Sequence, residues 1–286
     1  MTAVGVDTVG VVGAGFMGSG IAESTARAGS RVILFEPEEA RLDGSRERIA
    51  ASIAKAVKGG KLDEDGGKAM LERITWTTDF GALAAADLAI EAVVEDEAVK
   101  AEIFGRLDRT LPPESLLASN TSSIPIAQLA AATGRADRVL GLHFFSPVPV
   151  MKLVEIVVAL DTSDETIARA EAFVGALGKT AVRTKDRSGF VVNFLLVPYL
   201  MAAVRMYEEG FASAEDIDAA MKLGAGHPMG PLTLVDFIGL DVLYAVCDSL
   251  YEEFKRDEYA PPPLMKRMVA AGRLGRKTGR GFYDYA

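Results

Sequence analysis

Residues 9–36 read VGVVGAGFMGSGIAESTARAGSRVILFE, and this stretch decides the fold. An apolar run, Val9 to Val12, leads straight into Gly13, Gly15 and Gly18, which form GxGxxG at the head of a helical segment, Phe16 to Ala28, that Gly29 closes. A second apolar run, Val32 to Phe35, follows and ends on Glu36. The glycines divide the labour: one allows a tight turn, one lets a pyrophosphate approach the backbone, and one lets helix lie close on strand, with phosphate held at the helix N-terminus. Glu36 stands 18 residues past the last glycine, close to the ~20 at which an acidic residue bonds an adenosine ribose. A carboxylate there repels a 2′-phosphate, so the spacing implies NAD ahead of NADP; Arg41 nearby keeps the second open, because a guanidinium accepts such a phosphate.

Working outward, short β-branched runs alternate with helical stretches as far as residue 184, the pattern of a parallel sheet covered by helices on both faces. The expected strands are Val9 to Val12, Val32 to Phe35, Leu88 to Val93, Leu116 to Ser119, Val139 to His143, Val154 to Val157 and Ala181 to Thr184. After Asp186 the β-rich runs stop. Helices are expected over Phe190 to Glu209, from a capping box at Ser213 and Asp216, and over Leu240 to Phe254, before Pro261 to Pro263 break the chain. The fold class is α/β: a Rossmann-type, doubly wound, mostly parallel sheet domain over 1–186, then an all-α C-terminal domain over 187–286.

A net charge of −9 opposes general attraction to nucleic acid or anionic lipid, so neither is an expected partner. Cys247 is the only cysteine, which leaves no intrachain disulfide and no CxxC metal or redox site, and points to a reducing compartment. The start, MTAVGVDTVGVVGAG, lacks the basic region of a secretory leader, and no segment reaches the ~18 apolar residues of a spanning helix. A cytoplasmic protein is expected.

Two histidines exist, His143 and His227. His143 closes an expected strand at the carboxyl edge, where open α/β sheets place ligands, whereas His227 lies in the loop GAGHPMGP. Imidazole exchanges protons near neutral pH, so His143 is the candidate general base for oxidising an alcohol. Glu155, on the next strand, could orient the ring and stabilise its charged form; a plain strand-end charge is the equal alternative.

These residues lie within a longer set, GAGFMGSGIA, EAVVED, ASNTSSI, GLHFFSPVPVMKLVEI, SGFVVN, HPMGPLTLVDFIGLD and GRKTGRGFYDY, which resembles the short-chain L-3-hydroxyacyl-CoA dehydrogenases across nearly the whole chain. The resemblance implies hydride transfer between NAD and the C3 oxygen-bearing carbon of a short (S)-3-hydroxyacyl-CoA or 3-ketoacyl-CoA. It implies His143 as base, Glu155 as its partner, and Ser122 and Asn193 as groups that hold the substrate's polar end. It also implies that Phe16, Met17, Ala92, Val93, Glu95, Lys100 and Asn120 join the glycines and Glu36 around the cofactor. A homodimer through the helical domain is implied as well, in keeping with the apolar stretch FVVNFLLVPYLMAAVRMY.

A CoA substrate carries phosphates, and Arg46, Arg48, Lys55, Lys58 and Lys61 against Glu47 make a basic stretch on which Arg48, Ser52 and Lys55 share a helix face. The resemblance makes Ser52 with Lys55 or Lys58 the expected CoA contacts. Two departures stand out: Ser146 occupies a place where the family commonly has asparagine, and Phe194 one where arginine often follows Asn193. Two alternatives stay open at this stage, a related hydroxyacid dehydrogenase with a substrate lacking CoA and a non-enzymatic nucleotide-binding scaffold.

Overall fold

The computed structural model describes residues 6–285, so the part of the leader reading that falls on residues 1–5 lies outside them. The chain divides into two compact units, one ending at Asp186 and the other beginning at Arg187.

The first unit runs β1 (Thr8–Val12), α1 (Phe16–Arg27), β2 (Arg31–Phe35), α2 (Glu39–Lys58), α3 (Glu64–Glu72), β3 (Ile74–Thr77), β4 (Leu88–Glu91), α4 (Glu97–Thr110), β5 (Leu116–Ser119), α5 (Ile126–Ala130), β6 (Val139–Phe144), β7 (Leu153–Val158), α6 (Asp164–Ala176) and β8 (Thr180–Lys185). The strands form one sheet in the order β3-β2-β1-β4-β5-β6-β7-β8. All neighbours are parallel except β6 and β7. β1, β4, β5 and β6 are buried along their whole length, as continuous apolar runs between two helical layers must be. At the β8 edge the strand is largely exposed and carries Arg183 and Lys185, charges that discourage edge-to-edge pairing.

In this unit, beyond boundary shifts of a single residue, two features differ from expectation for local reasons. β4 ends at Glu91 rather than Val93, because the Glu91 carboxylate accepts the Val93 N–H at 2.7 Å and turns the chain out of the ladder. β3, which escapes sequence reading, is only the four residues ITWT at the sheet edge, too short to show a period.

The second unit contains α7 (Val192–Glu208), α8 (Ala214–Gly224), α9 (Pro231–Ile238), α10 (Leu240–Phe254) and α11 (Pro263–Ala270). α7 starts two residues later than expected, since Gly189 and Phe190 both take positive φ, 78° and 44°, and cannot continue a right-handed helix. Ser213 caps α8, its hydroxyl oxygen accepting the Asp216 N–H at 3.1 Å. On α10, Leu243, Cys247 and Leu250 recur on one face and are buried with Val197, Leu200, Met201 and Val204 of α7.

Two buried carboxylates organise the end of this unit. Asp218 of α8 accepts the N–H groups of Leu232 and Thr233 at 2.8 and 2.9 Å, capping α9 from outside, and the Tyr283 hydroxyl at 3.0 Å. Asp236 of α9 accepts the Phe282 and Tyr283 N–H groups at 2.9 and 3.0 Å and the Tyr285 hydroxyl at 2.9 Å. Burial, together with the hydrogen bond to the anionic Asp236, pushes the Tyr285 phenol up to about 12. Asp236→Ala removes the buried acceptor of two partly buried backbone donors and a phenol, so it should lower unfolding stability by about 2 kcal/mol, read from urea denaturation.

Candidate active site

The glycine turn is built by contact. The Gly13 N–H donates to the Phe35 carbonyl at 2.9 Å, locking the turn to the end of β2. At Gly18 a Cβ would fall 1.9 Å from the Gly13 carbonyl oxygen, so only glycine lets α1 approach the turn this closely. At Gly15, the N-cap of α1, an added Cβ would meet no heavy atom within 4 Å, and no side chain caps the helix. That open N-terminus, with Phe16 62% exposed beside it and Met17 half-buried, suits a ligand phosphate. Glu36 uses Oε2 to accept the Ala14 N–H at 3.1 Å, and among the described residues Oε1 has no hydrogen-bond partner, which suits a ribose hydroxyl. These residues fit NAD. Arg41 is paired with Glu38 at 3.1 Å on the surface.

Along the same carboxyl edge, β4 and β5 end in a connected polar cluster. Glu95 accepts the Ser122 N–H at 2.9 Å and the Thr121 and Ser123 hydroxyls, while Lys100 reaches its other oxygen at 3.2 Å. Ser122 and Ala92 are buried at most in part, as is Val93. Lys100, expected along the cofactor wall, is only 1% exposed and lies beneath the turn, its ammonium 2.6 Å from Glu91. Asn120 uses its side-chain oxygen to accept the Phe144 N–H at 3.0 Å, tying this turn to the end of β6.

His143 is the penultimate residue of β6, 6% exposed, and stands in register with Glu155 of antiparallel β7. Residues opposite one another in a ladder present side chains to the same face, and the His143 Nδ1 lies 2.7 Å from the Glu155 Oε2. A buried carboxylate at that distance favours the tautomer that carries its proton on Nδ1. Phe145 packs edge-on to the imidazole with centroids 4.6 Å apart. The loop joining the two strands is clamped by Lys179, whose ammonium donates to the Val148 and Met151 carbonyls, both at 2.6 Å; burial pushes its pKa down. β6 lies three strands from β1, so the pair sits about 14 Å along the edge from the glycine turn, at ~4.8 Å per strand.

The basic stretch is arranged differently from the expectation. Arg48 turns onto the glycine turn, donating to the Ala14 carbonyl at 2.6 Å, and Arg46 is held by Glu39 and Asp43. Ser52 donates to the buried Glu23 at 2.7 Å, and burial pushes that carboxyl up. Lys55 and Lys58 remain exposed near the end of α2.

Comparison with known proteins places the chain in a family. Residues 8–187 match the family profile described as 3-hydroxyacyl-CoA dehydrogenase, NAD binding domain, and residues 189–285 match the corresponding C-terminal domain. The chain belongs to the 3-hydroxyacyl-CoA dehydrogenase family. It is 57% identical over 282 residues to a 3-hydroxybutyryl-CoA dehydrogenase of Mycobacterium tuberculosis, covering 98% of this chain and 99% of that one. The crystal structure of Mycobacterium tuberculosis FadB2 superposes with a TM-score of 0.97 at 57% identity, covering 98% of this chain and 99% of the other. That of (S)-3-hydroxybutyryl-CoA dehydrogenase PaaH1 from Ralstonia eutropha gives 0.93 at 47% identity, with 98% and 99% covered.

Within this family the two departures have different standing. Phe194 packs against Phe254 and Tyr259, with ring centroids 5.6 Å apart in each case, and the Arg187 guanidinium lies 3.9 Å over its ring. The arginine often found at this point is replaced by an aromatic cluster with its own cation. Ser146 is exposed and precedes a cis bond to Pro147; nothing in the structure explains the serine. Asn193 lies in the first turn of α7 and is half-buried.

Glu91 escapes sequence reading altogether. Its one signal is a carboxylate ending an apolar run, LAIE, where a residue buried on both faces is expected. Glu95 carries a testable pH signature. Burial raises its pKa, yet the Lys100 ammonium, the Thr121 hydroxyl and the Ser122 N–H outweigh this and hold it below the ordinary 4.5. A lowered folded-state pKa stabilises the fold in full above the unfolded value and loses that contribution as pH falls through the folded one. The stability difference between the wild type and Glu95→Gln should therefore be constant above pH 4.5 and shrink below it, measured as urea midpoints down a pH series.

Proposed function

We propose that this chain interconverts a short (S)-3-hydroxyacyl-CoA and the matching 3-ketoacyl-CoA, with 3-hydroxybutyryl-CoA and acetoacetyl-CoA as the reference pair. One observation carries the assignment of the base: an imidazole at the carboxyl edge of the sheet, 2.7 Å from a fully buried carboxylate. Bound NAD supplies the acceptor for the hydride that leaves the substrate's third carbon. The chain's own share is proton transfer and positioning. In oxidation the His143 Nε2 takes the proton of the 3-hydroxyl, and Glu155 stabilises the imidazolium that results; in reduction the same nitrogen returns it. Ser122, on the turn after β5, holds the substrate's oxygen, and the family resemblance assigns Asn193, at the head of α7, a substrate contact of its own. Glu36 bonds the ribose, with Gly13, Gly15, Phe16, Met17 and Gly18 at the phosphates and Ala92, Val93, Glu95 and Asn120 toward the nicotinamide half. Lys55 and Lys58, cations left exposed on α2, are proposed to meet the CoA phosphates, with Ser52 beside them.

General acid–base help is worth ~10² to 10⁴ in rate, so His143→Ala should lower kcat for acetoacetyl-CoA reduction by about that factor while NADH affinity stays within about twofold. NADH absorbance and fluorescence titration read the two quantities. Wild-type turnover in the variant would remove the base assignment, and equal kcat/KM for acetoacetyl-CoA and free acetoacetate would remove the CoA ester as substrate.

A homodimer through the helical unit is part of this reading. Much of the apolar excess of α7 is used in its own core, but Leu195 is 66% exposed, Phe211 77% and Leu223 87%, more than water-facing helices of a monomer ordinarily carry. Light scattering at micromolar concentration should give twice the 30.4 kDa chain mass; the single mass would overturn the dimer. A cytoplasmic location accords with the lone Cys247, buried in the second unit with its thiol pushed up to about 12 and no partner for a disulfide.

A further inference from the structure

At the end of β4, Glu91 is a carboxylate with no solvent exposure in a sheet of apolar strands. Burying such a group costs several kcal/mol unless it is paired and fully hydrogen-bonded, so its partners matter. Its Oε1 accepts the Lys100 ammonium at 2.6 Å and the Val93 N–H at 2.7 Å, and its Oε2 accepts the Ser119 hydroxyl at 2.6 Å. Lys100 in turn reaches Glu95, which holds the Ser122 N–H and the hydroxyls of Thr121 and Ser123. Ser119 and Thr121 carry the arrangement along the turn: the Ser119 oxygen accepts the Thr121 N–H at 3.1 Å, and the Thr121 oxygen accepts the Ile124 N–H at 2.9 Å. One ammonium is thus shared between two carboxylates, one deep and one at the surface, and each carboxylate grips the same five-residue turn from a different side.

We propose that Glu91 and Lys100 are positioning residues for Ser122, the buried half of a charged chain that sets Glu95 and through it the turn presenting the Ser122 hydroxyl. The inference rests on the reading of Ser122 as a substrate-holding group. Glu91 fixes where the ammonium lies, because an ammonium shared with a fully buried carboxylate cannot follow Glu95 outward. Without that anchor Lys100 pairs with Glu95 alone, the ammonium follows Glu95 outward, and Glu95 with the Ser122 N–H it holds loses its fixed position. A displacement of that kind at a reacting group lowers turnover far more than it loosens a cofactor whose ribose and phosphates are held at Glu36 and the glycine turn, or a CoA chain held on α2.

The test is a double-mutant cycle on the full chain, pairing Glu91→Gln with Ser122→Ala and measuring kcat, KM for acetoacetyl-CoA, NADH Kd and Tm. Glu91→Gln leaves Lys100 and Glu95 as a neutral pair, so it should fold. Its kcat should fall about tenfold with KM and Kd within about twofold. In the Ser122→Ala background the same substitution should change kcat by less than about twofold, because the group it acts through is gone. An equal fall in both backgrounds, or a folded Glu91→Gln enzyme with wild-type kcat, overturns the inference. A weakened NADH Kd with kcat intact would instead make the cluster a cofactor contact and also overturn it. If Ser122→Ala alone keeps wild-type kcat, it is the reading of Ser122 that fails. Should Glu91→Gln not fold, the Glu91→Gln/Lys100→Met pair, which removes both buried charges, takes its place in the cycle with the same expected and overturning results.

Discussion

The antiparallel ladder between β6 and β7 is the constraint on which the site depends. In β1 to β6 every strand delivers its last residue to one edge, so a seventh parallel strand would bring its own last residue there and carry its first to the far side. A strand returning through a short loop instead sets its beginning against its neighbour's end, and Glu155 meets His143. A slip of one residue would turn the carboxylate to the other face. The register is held by steric fit as well as by burial: at Gly141, opposite Val157, a Cβ would fall 2.7 Å from the valine Cβ. Glycine in the middle of a buried strand weakens it locally, and here it permits the one alignment that places imidazole and carboxylate together.

Beyond that pair and its flanking ladders, the turns at the carboxyl edge are held by side chains. The Asn120 amide grips the Phe144 N–H, the Lys179 ammonium grips two carbonyls of the β6–β7 loop, and Glu95 grips the turn after β5. Each of these polar groups is bonded to backbone, which fixes the turns it holds before any ligand arrives. Preorganisation of this kind matters most where charge develops in a low-dielectric site, since nothing then has to reorient during reaction.

The helical unit follows the same principle with different parts. Asp218 and Asp236 are buried acids whose oxygens are occupied by backbone N–H groups and tyrosine hydroxyls of the C-terminal tail. The conspicuous tail GRKTGRGFYDY is therefore a structural strap within its own unit. The aromatic cluster of Phe194, Phe254 and Tyr259 under Arg187 shows how an uncommon residue at the start of α7 is accommodated by local packing.

Local pattern was enough to determine seven of the eight strands, the change to helices after Asp186, the glycine turn, the acidic residue at the end of β2, and His143 as the imidazole at the carboxyl edge of the sheet. Those features depend on spacing within a few dozen residues, where propensity, period and backbone freedom act directly. Spacing alone left Glu155 undecided between partner and surface charge, and only the antiparallel register resolved it. The same holds for Glu91, Lys100 and Arg48: each looks like an ordinary charge in the sequence, because what a charged side chain does is decided by the strands and turns that fold against it. The four-residue β3 was hidden for a related reason, since an edge strand that short is stabilised by its neighbour β2 and carries almost no signal of its own.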